Sequence, residues 1–243
     1  HINMYRPFGM RRFWHPQVQF QVDQEKPFAP FPEDTALPFM EWGLNWCVAT
    51  RAHHYLMLHA GVVAKNNQAL LLPALPGAGK STLSAALELR GWRLLSDEFA
   101  LVQPDDLMIR PFPRLIPLKN ESIAVIRDFS DTVTLGPEFP KTRKGTVAHL
   151  RPSAASINQS DQAVKVRWIV FPRFEKGVAL SLKSFSKERA FLKLSSNSFN
   201  YELLGPKGFQ TASQLIDTSD CYLFHYSDLE QAVAQMDRLA QAS

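Results

Sequence analysis

The sequence predicts an α/β fold built on a mixed sheet, and three features carry that prediction. Residues Tyr55 to Leu72 read as two strands joined by a turn at Lys65-Asn66-Asn67-Gln68. The second of these strands runs directly into a glycine-containing loop, Ala74 to Thr82, and a helix-like stretch behind it. Near the C-terminus, Cys221 to Tyr226 reads as a strand and is followed at once by an amphipathic helix. The expected arrangement is a mixed sheet carrying the loop, flanked by helices over 39–52, 81–90 and 229–240.

Taken in order, Val18-Gln19-Phe20-Gln21-Val22 alternates strictly, which predicts a strand with one wet face. Residues 1–26 are too few for a stable domain, so this strand is expected to pair with the main core. The stretch from Pro27 to Pro38 carries four prolines and reads as an irregular connector. From Phe39 to Val48 bulky residues recur at helical spacing behind a proline, which predicts a largely buried helix. Behind the glycine loop, Leu83, Ala86, Leu87 and Arg90 share one helical face, and Gly91 supplies a stop. A strand over Trp92 to Val102 follows.

Between Asp105 and Ser160 the chain is rich in proline and charge, which predicts loops over a site in preference to core elements. Lys165 to Phe171 and Val178 to Leu182 read as strands around a turn near Gly177. Ser227-Asp228-Leu229-Glu230 has the form of a capping box, opening a helix with Leu229, Val233, Met236 and Ala240 on one face.

Composition narrows the function. A chain of 243 residues with 45% hydrophobic content can bury roughly 70–75% of the surface its unfolded form exposes. One domain over 1–243 is therefore expected, with residues 1–37 as an N-terminal appendage. A formal net charge of +4 is too mild to point to nucleic acid and suits an anionic ligand. Cys47 and Cys221 have no metal-type spacing, which argues for reduced, buried thiols. No secretory signal is read in the first residues, and no apolar run reaches the length of a membrane span, so a cytoplasmic location is expected.

The chemistry concentrates in Ala74-Leu75-Pro76-Gly77-Ala78-Gly79-Lys80-Ser81-Thr82. A phosphate cradle needs glycines that let backbone N–H groups turn toward phosphate oxygens, a lysine for their charge, a hydroxyl for magnesium and a helix start behind them. Gly77, Gly79, Lys80 and Ser81 supply those parts. Ala74 stands where the usual pattern has its first glycine and requires ordinary backbone angles there. Pro76 removes one N–H. Asp97 and Glu98 follow Lys80 by 17 and 18 residues. One helix and one turn fill that interval, so the acidic pair should return beside the loop, one carboxylate to hold magnesium and one to accept a hydroxyl proton. His59 precedes Lys80 by 21 residues, on the neighbouring strand, where it could orient a carboxylate or stabilise phosphoryl charge.

These three spacings together resemble the HPr kinase/phosphorylase family, specifically its looser relatives, the HPr kinase-related kinases. The resemblance covers Leu58 to Val102 in register. It implies a fold related to phosphoenolpyruvate carboxykinase, not a doubly wound sheet, and an ATP- and Mg2+-dependent kinase acting on serine of a protein or peptide. In the roles it implies, Lys80 binds the β- and γ-phosphates, Ser81 helps hold magnesium and His59 supports the acidic pair. Glu98 aligns with the family's general base. Glutamate replaces the usual aspartate there, so Asp97 and Glu98 could exchange duties.

The segment by which such kinases engage HPr is replaced by Arg110 to Glu121, which argues against HPr itself as substrate. Arg114 and Lys119 are candidate substrate contacts, Glu121 a candidate third member of the magnesium shell, and Lys141, Arg143, Lys144 and Arg151 a cluster suited to an acidic partner or a lid. A small-molecule hydroxyl is the alternative acceptor, and a nucleotide-binding regulator that transfers nothing is the alternative class. The resemblance implies a homo-oligomer, though no interface is visible in the sequence.

Overall fold

A computed structural model describes residues 1–9 and 13–242 of the chain. In chain order the strands are β1 (Ile2–Tyr5), β2 (Gln17–Val22), β3 (Phe31–Pro32), β4 (Leu56–Lys65), β5 (Gln68–Pro73), β6 (Arg93–Ser96), β7 (Phe99–Val102), β8 (Met108–Arg110), β9 (Ile116–Lys119), β10 (Phe139–Thr142), β11 (Gly145–Leu150), β12 (Val164–Phe174), β13 (Ser181–Ser184) and β14 (Asp220–Tyr226). The α-helices are α1 (Ala36–Arg51), α2 (Lys80–Leu89), α3 (Glu121–Phe129), α4 (Ala154–Asn158), α5 (Lys187–Ser195), α6 (Tyr201–Leu204), α7 (Pro206–Thr218) and α8 (Leu229–Gln241).

The sheet is mixed. Its strand order is β13-β14-β12-β5-β4-β7-β8, with β6 paired beside β7 along β4. β12 runs parallel to β5 and β14, whereas β4 runs antiparallel to β5, β6 and β7. β8 also pairs with the first residues of β12, so the sheet curls back on itself at that end. The β4–β5 hairpin turns at Asn66 and Asn67, both in the left-handed region at φ 52° and 60°, which matches the twist of the two strands.

Period-two alternation sorts this sheet into two faces. Leu58, Val62 and Leu71 pack under α5 and α7 against Ala190, Leu215 and Ile216. Val63, Leu70 and Leu72 pack under α2, α3 and α8 against Leu83, Ile126 and Met236. The second face carries the glycine loop and α2.

Five expectations are revised. The strand at 17–22 does not join the main sheet: β1, β2 and β3 form a sheet of their own. Its apolar face, Val18, Phe20 and Phe31, is already covered by Phe39 and Trp46 of α1. For the same reason α1 is not largely buried. It bridges this small sheet and the Met57–Phe99–Leu101 cluster, and Gly43 is its one fully buried residue. The strand expected over Trp92 to Val102 is broken at Asp97-Glu98 into β6 and β7.

The region from 105 to 160 is not simply loop. Ile116 and Leu118 of β9, Ile123 and Ile126 of α3, and Ala148 and Leu150 of β11 enter the core under α2. Pro117 hides the alternation of β9 from a sequence reading. The helix at 229 is capped by Asp228, whose Oδ1 accepts from Gln231 N at 2.7 Å, while Ser227 Oγ instead donates to Val178 O. Helices α5 to α7, covering the first sheet face, were not anticipated from sequence.

Candidate functional site

β5 ends at Pro73, and the chain turns through Leu75–Gly79 into α2, whose first helical residue is Lys80. Ala74 is buried with ordinary backbone angles, as its replacement of glycine requires. Gly77 and Gly79 both take φ +87°, a conformation that costs other residues roughly 1–2 kcal/mol. Gly79 also sits where a Cβ would lie 2.6 Å from Tyr226 Oη and 2.9 Å from Phe174 Cβ. Those two residues end β14 and β12 and fix the loop: Tyr226 Oη donates to Gly79 O at 3.3 Å, and Phe174 N donates to Ala78 O at 3.1 Å. Burial pushes the Tyr226 phenol well above its usual value, which keeps that donor protonated.

Leu83 N is bonded back to Gly79 O, and Ala78 N to Leu75 O. Among the described residues the N–H groups of Gly77, Gly79, Lys80, Ser81 and Thr82 carry no backbone partner, and Pro76 has none to offer. Unpaired amides at the start of a ten-residue helix form an anion cradle. The side-chain hydroxyls of Ser81 and Thr82, half-buried, make no hydrogen bond within the protein among the described residues.

Lys80 and Asp97 meet inside this cradle. Lys80 Nζ donates to the main-chain O of Asp97 and stands 3.3 Å from its Oδ1. Both residues are buried, at 8% and 5% exposure. Neither carboxylate oxygen of Asp97 has a hydrogen bond, and Ser84 Oγ, one turn along α2, is likewise buried without one. Buried polar atoms rarely go unpaired, so this cluster has capacity for a ligand. Gly61 of β4 makes room for it: a Cβ there would overlap Ser84 Oγ and lie 3.4 Å from Lys80 Cγ and 3.5 Å from Asp97 Oδ1.

The break between β6 and β7 brings the second carboxylate in. Ser96 Oγ accepts from the N–H groups of Glu98 and Phe99 at 3.4 and 3.1 Å, turning the chain out of regular strand geometry, and the register along β4 shifts between Val62 and Val63. Glu98 Oε2 stands 3.4 Å from His59 Nε2. His59 is held by its own backbone, paired opposite Phe99, with its N–H bonded to Asn197 O at 2.7 Å. Burial pushes the Glu98 carboxyl up, but the hydrogen bond from His59 and the charges of Lys80, His59 and Lys119 outweigh it and bring it down to about 2. Glu98 is therefore ionised throughout the physiological range.

A cavity of about 620 Å³ opens beside Glu98. Its walls come from the proline-rich connector (Phe28), from α1 (Glu41, Trp42), from β9 (Lys119) and from the β10–β11 hairpin (Arg143, His149). Strands β9 and β11 are amphipathic in register, with Pro117 opposite His149 and Lys119 opposite Val147. That alternation sends Leu118 and Ala148 to the core and puts Lys119 and His149 on the cavity side. Burial lowers the Lys119 ammonium, and neighbouring Lys144 lowers it further, against the pull of Glu98. Burial also lowers the His149 imidazole, whose Nδ1 has no partner.

The sequence-predicted residues thus separate into groups. His59, Lys80, Asp97 and Glu98 converge, and Lys119 joins Glu98 at the cavity. Arg114 is instead committed to the fold: its guanidinium bonds Glu41 Oε2 at 3.0 Å and Asn45 Oδ1, tying α1 to the segment before β9. Glu121 is exposed in the first turn of α3 and makes no ion pair among the described residues. Arg151 is exposed beyond β11 and is absent from the cavity walls that Lys141, Arg143 and Lys144 help to form. Gly61, Ser84, Tyr226 and the aromatic wall were missed. The glycine in the middle of β4 is the one local signal that could have pointed to them.

No family model matches the chain, and no curated protein does. Among solved structures it is similar to that of the Hpr(Ser) kinase/phosphatase from Coxiella burnetii, at 12% sequence identity over 77% of this chain and 99% of that one, with a TM-score of 0.31. A likeness at that level assigns no activity, and the functional reading rests on the side chains.

Proposed function

We propose that this chain is a kinase that transfers the γ-phosphoryl group of ATP to a hydroxyl, with serine as the acceptor group that the sequence resemblance implies. One observation carries the reading: a lysine at the start of α2, in an arc of unpaired N–H groups, touches a buried aspartate whose neighbour is a second, histidine-paired carboxylate. A simple anion site would need the lysine and the amides but no carboxylates, which repel an anion. Carboxylates at a phosphate cradle make sense where a divalent cation and a reacting hydroxyl are also present.

In this reading the amides of Gly77 to Thr82 and the Lys80 ammonium hold the phosphates. Ser81 and Asp97 are the residues that fit magnesium, since Mg2+ takes one or two protein oxygens and keeps the rest of its shell for phosphate and water. Asp97 Oδ2 has no hydrogen-bond partner and Oδ1 faces only the Lys80 ammonium, which agrees with that role. No group of three or more His, Cys, Asp or Glu side chains that could form an all-protein cage occurs among the described residues. Bound magnesium supplies charge neutralisation on the phosphoryl oxygens.

Glu98 orients the acceptor hydroxyl and takes its proton as the acceptor oxygen bonds to phosphorus and the bridging P–O bond breaks, leaving ADP. A carboxyl near 2 is a weak base. A loose phosphoryl-transfer transition state asks mostly for positioning and late proton removal, which an ionised carboxylate provides. His59 is a positioning residue that fixes the Glu98 rotamer.

The test is equilibrium binding of a fluorescent ATP analogue together with transfer of labelled phosphate from ATP into fractionated cell extract. Glu98→Gln should keep nucleotide affinity within about threefold and lose at least about a hundredfold in turnover, the scale of a positioned proton acceptor. Asp97→Asn should lose magnesium dependence. Unchanged turnover in both variants, or no nucleotide binding by the parent protein, would overturn the proposal.

A further inference from the structure

The cavity beside Glu98 has a chemistry of its own. Its volume of about 620 Å³ lies within the roughly 300–1,000 Å³ of small-molecule pockets. Four cations, Lys119, Lys141, Arg143 and Lys144, line it against two carboxylates, Glu41 and Glu98. Glu41 is neutralised by Arg114 at 3.0 Å, so the cavity carries a net positive charge. Lys119 is the most buried of the four, and burial lowers its ammonium.

The remaining wall is aromatic. Phe28 stacks on Trp42 with ring centroids 5.1 Å apart, and Phe39 meets both edge-on. Arg143 lies 5.7 Å over the Trp42 ring, so a cation and an apolar surface face the same space. The Glu98 side chain is 21% exposed and shares its cavity with the connector and the β10–β11 hairpin, which rise around it. Approach through that shared cavity favours a narrow molecule over a hydroxyl on the flat face of a folded protein.

Resting on the kinase reading above, we propose that this cavity receives the acceptor, and that the acceptor is a slender molecule carrying its hydroxyl close to an anionic group and beside an apolar arm. A free hydroxy acid and the carboxylate end of a peptide share this chemistry. The anion meets Lys119, Lys144 and Arg143, the apolar arm meets Phe28 and Trp42, and the hydroxyl is left at Glu98. The acceptor proton goes to Glu98 and the γ-phosphoryl to the acceptor oxygen, with ADP as the other product.

The experiment compares N-benzoyl-L-serine with its carboxamide, a hexapeptide ending in serine with its C-terminal amide, and dephosphorylated casein. Binding is read without nucleotide from tryptophan fluorescence, which Trp42 reports, and transfer from labelled ATP. At least one acid should bind and accept phosphate about tenfold or more better than its amide, the scale of a charge-assisted contact. Whichever acid is preferred identifies a free hydroxy acid or a chain end as the source. The double variant R143A/K144A should erase the acid preference while nucleotide affinity stays unchanged.

Equal response to acids and amides, or casein as the better acceptor, would overturn the inference. The two readings fail separately. An acid-selective fluorescence response in a protein that binds no nucleotide would sink the kinase reading and keep the anionic cavity. Nucleotide turnover without acid preference would do the reverse.

Discussion

Gly61→Ala offers a direct test of how tightly β4 closes over the site. The new methyl would overlap Ser84 Oγ, which is itself fully buried in α2. Overpacking of this kind costs about 1–3 kcal/mol, and the stiffer unfolded chain returns about 0.4–1 kcal/mol, leaving a net loss of about 1–2 kcal/mol. Ser84 Oγ has no hydrogen-bond partner, so Ser84→Ala should be neutral or slightly stabilising. The double variant G61A/S84A should therefore regain most of what the single change loses, a coupling between neighbours that additivity does not predict. Urea titration at constant m-value measures all three. An unchanged midpoint for Gly61→Ala would refute the packing argument, as would a double variant no more stable than the single. With stability restored in the double variant, nucleotide affinity reports whether Lys80 Cγ and Asp97 Oδ1, both within 3.5 Å of the added carbon, have been displaced.

Further outcomes follow from the same contacts. The Glu98 carboxyl falls from 4.5 to about 2 on folding, so its contribution of roughly 3 kcal/mol is fully present above pH 4.5 and lost as pH falls from there toward 2; stability against pH should flatten in that window for Glu98→Gln, and an identical profile would contradict it. Lys80→Met should cost about 3 kcal/mol by stranding the buried Asp97 carboxylate, and adding Asp97→Asn should recover part of that stability without restoring nucleotide binding, which thermal melts with and without ATP can separate. Asn200→Ala should cost about 2–4 kcal/mol, because its side chain accepts from Met57 N at 2.9 Å and donates to Tyr55 O at 2.8 Å, holding the start of β4; a loss below about 0.5 kcal/mol would show those backbone groups find other partners.

What could be read in the sequence was what depended on local signals. The β4–β5 hairpin announced itself through Asn66-Asn67, and α2 through the glycines before it and Gly91 behind it. His59, Lys80, Asp97 and Glu98 were legible because short connections leave a strand–turn–strand–loop–helix–strand stretch few ways to fold. The placement of β2 was not, because an alternating strand specifies that one face is buried and not against what; α1, with its aromatic stripe, won that competition over the main sheet. The partners of Arg114 were hidden for a related reason. A basic residue in a loop beside a site has the same sequence signature whether it meets a ligand or Glu41, 73 positions earlier. The cavity was invisible for the same cause, since Phe28, Trp42, Lys119 and Arg143 come together only through tertiary packing.

The charged groups beside the glycine loop come from a single continuous stretch, His59 to Glu98, while the cavity walls other than Glu98 come from two distant ones, residues 27–45 and 117–149. Each half can therefore change without the other. Substitutions in the connector or the β10–β11 hairpin can resize and recharge the cavity while the hairpin, loop and helix beneath it keep their register. A chain built this way can be turned toward a new small partner by remodelling segments that contribute little to its central sheet, which makes residues 27–45 and the hairpin tip at 141–146 the place to look for divergence in specificity and the place to begin in changing it.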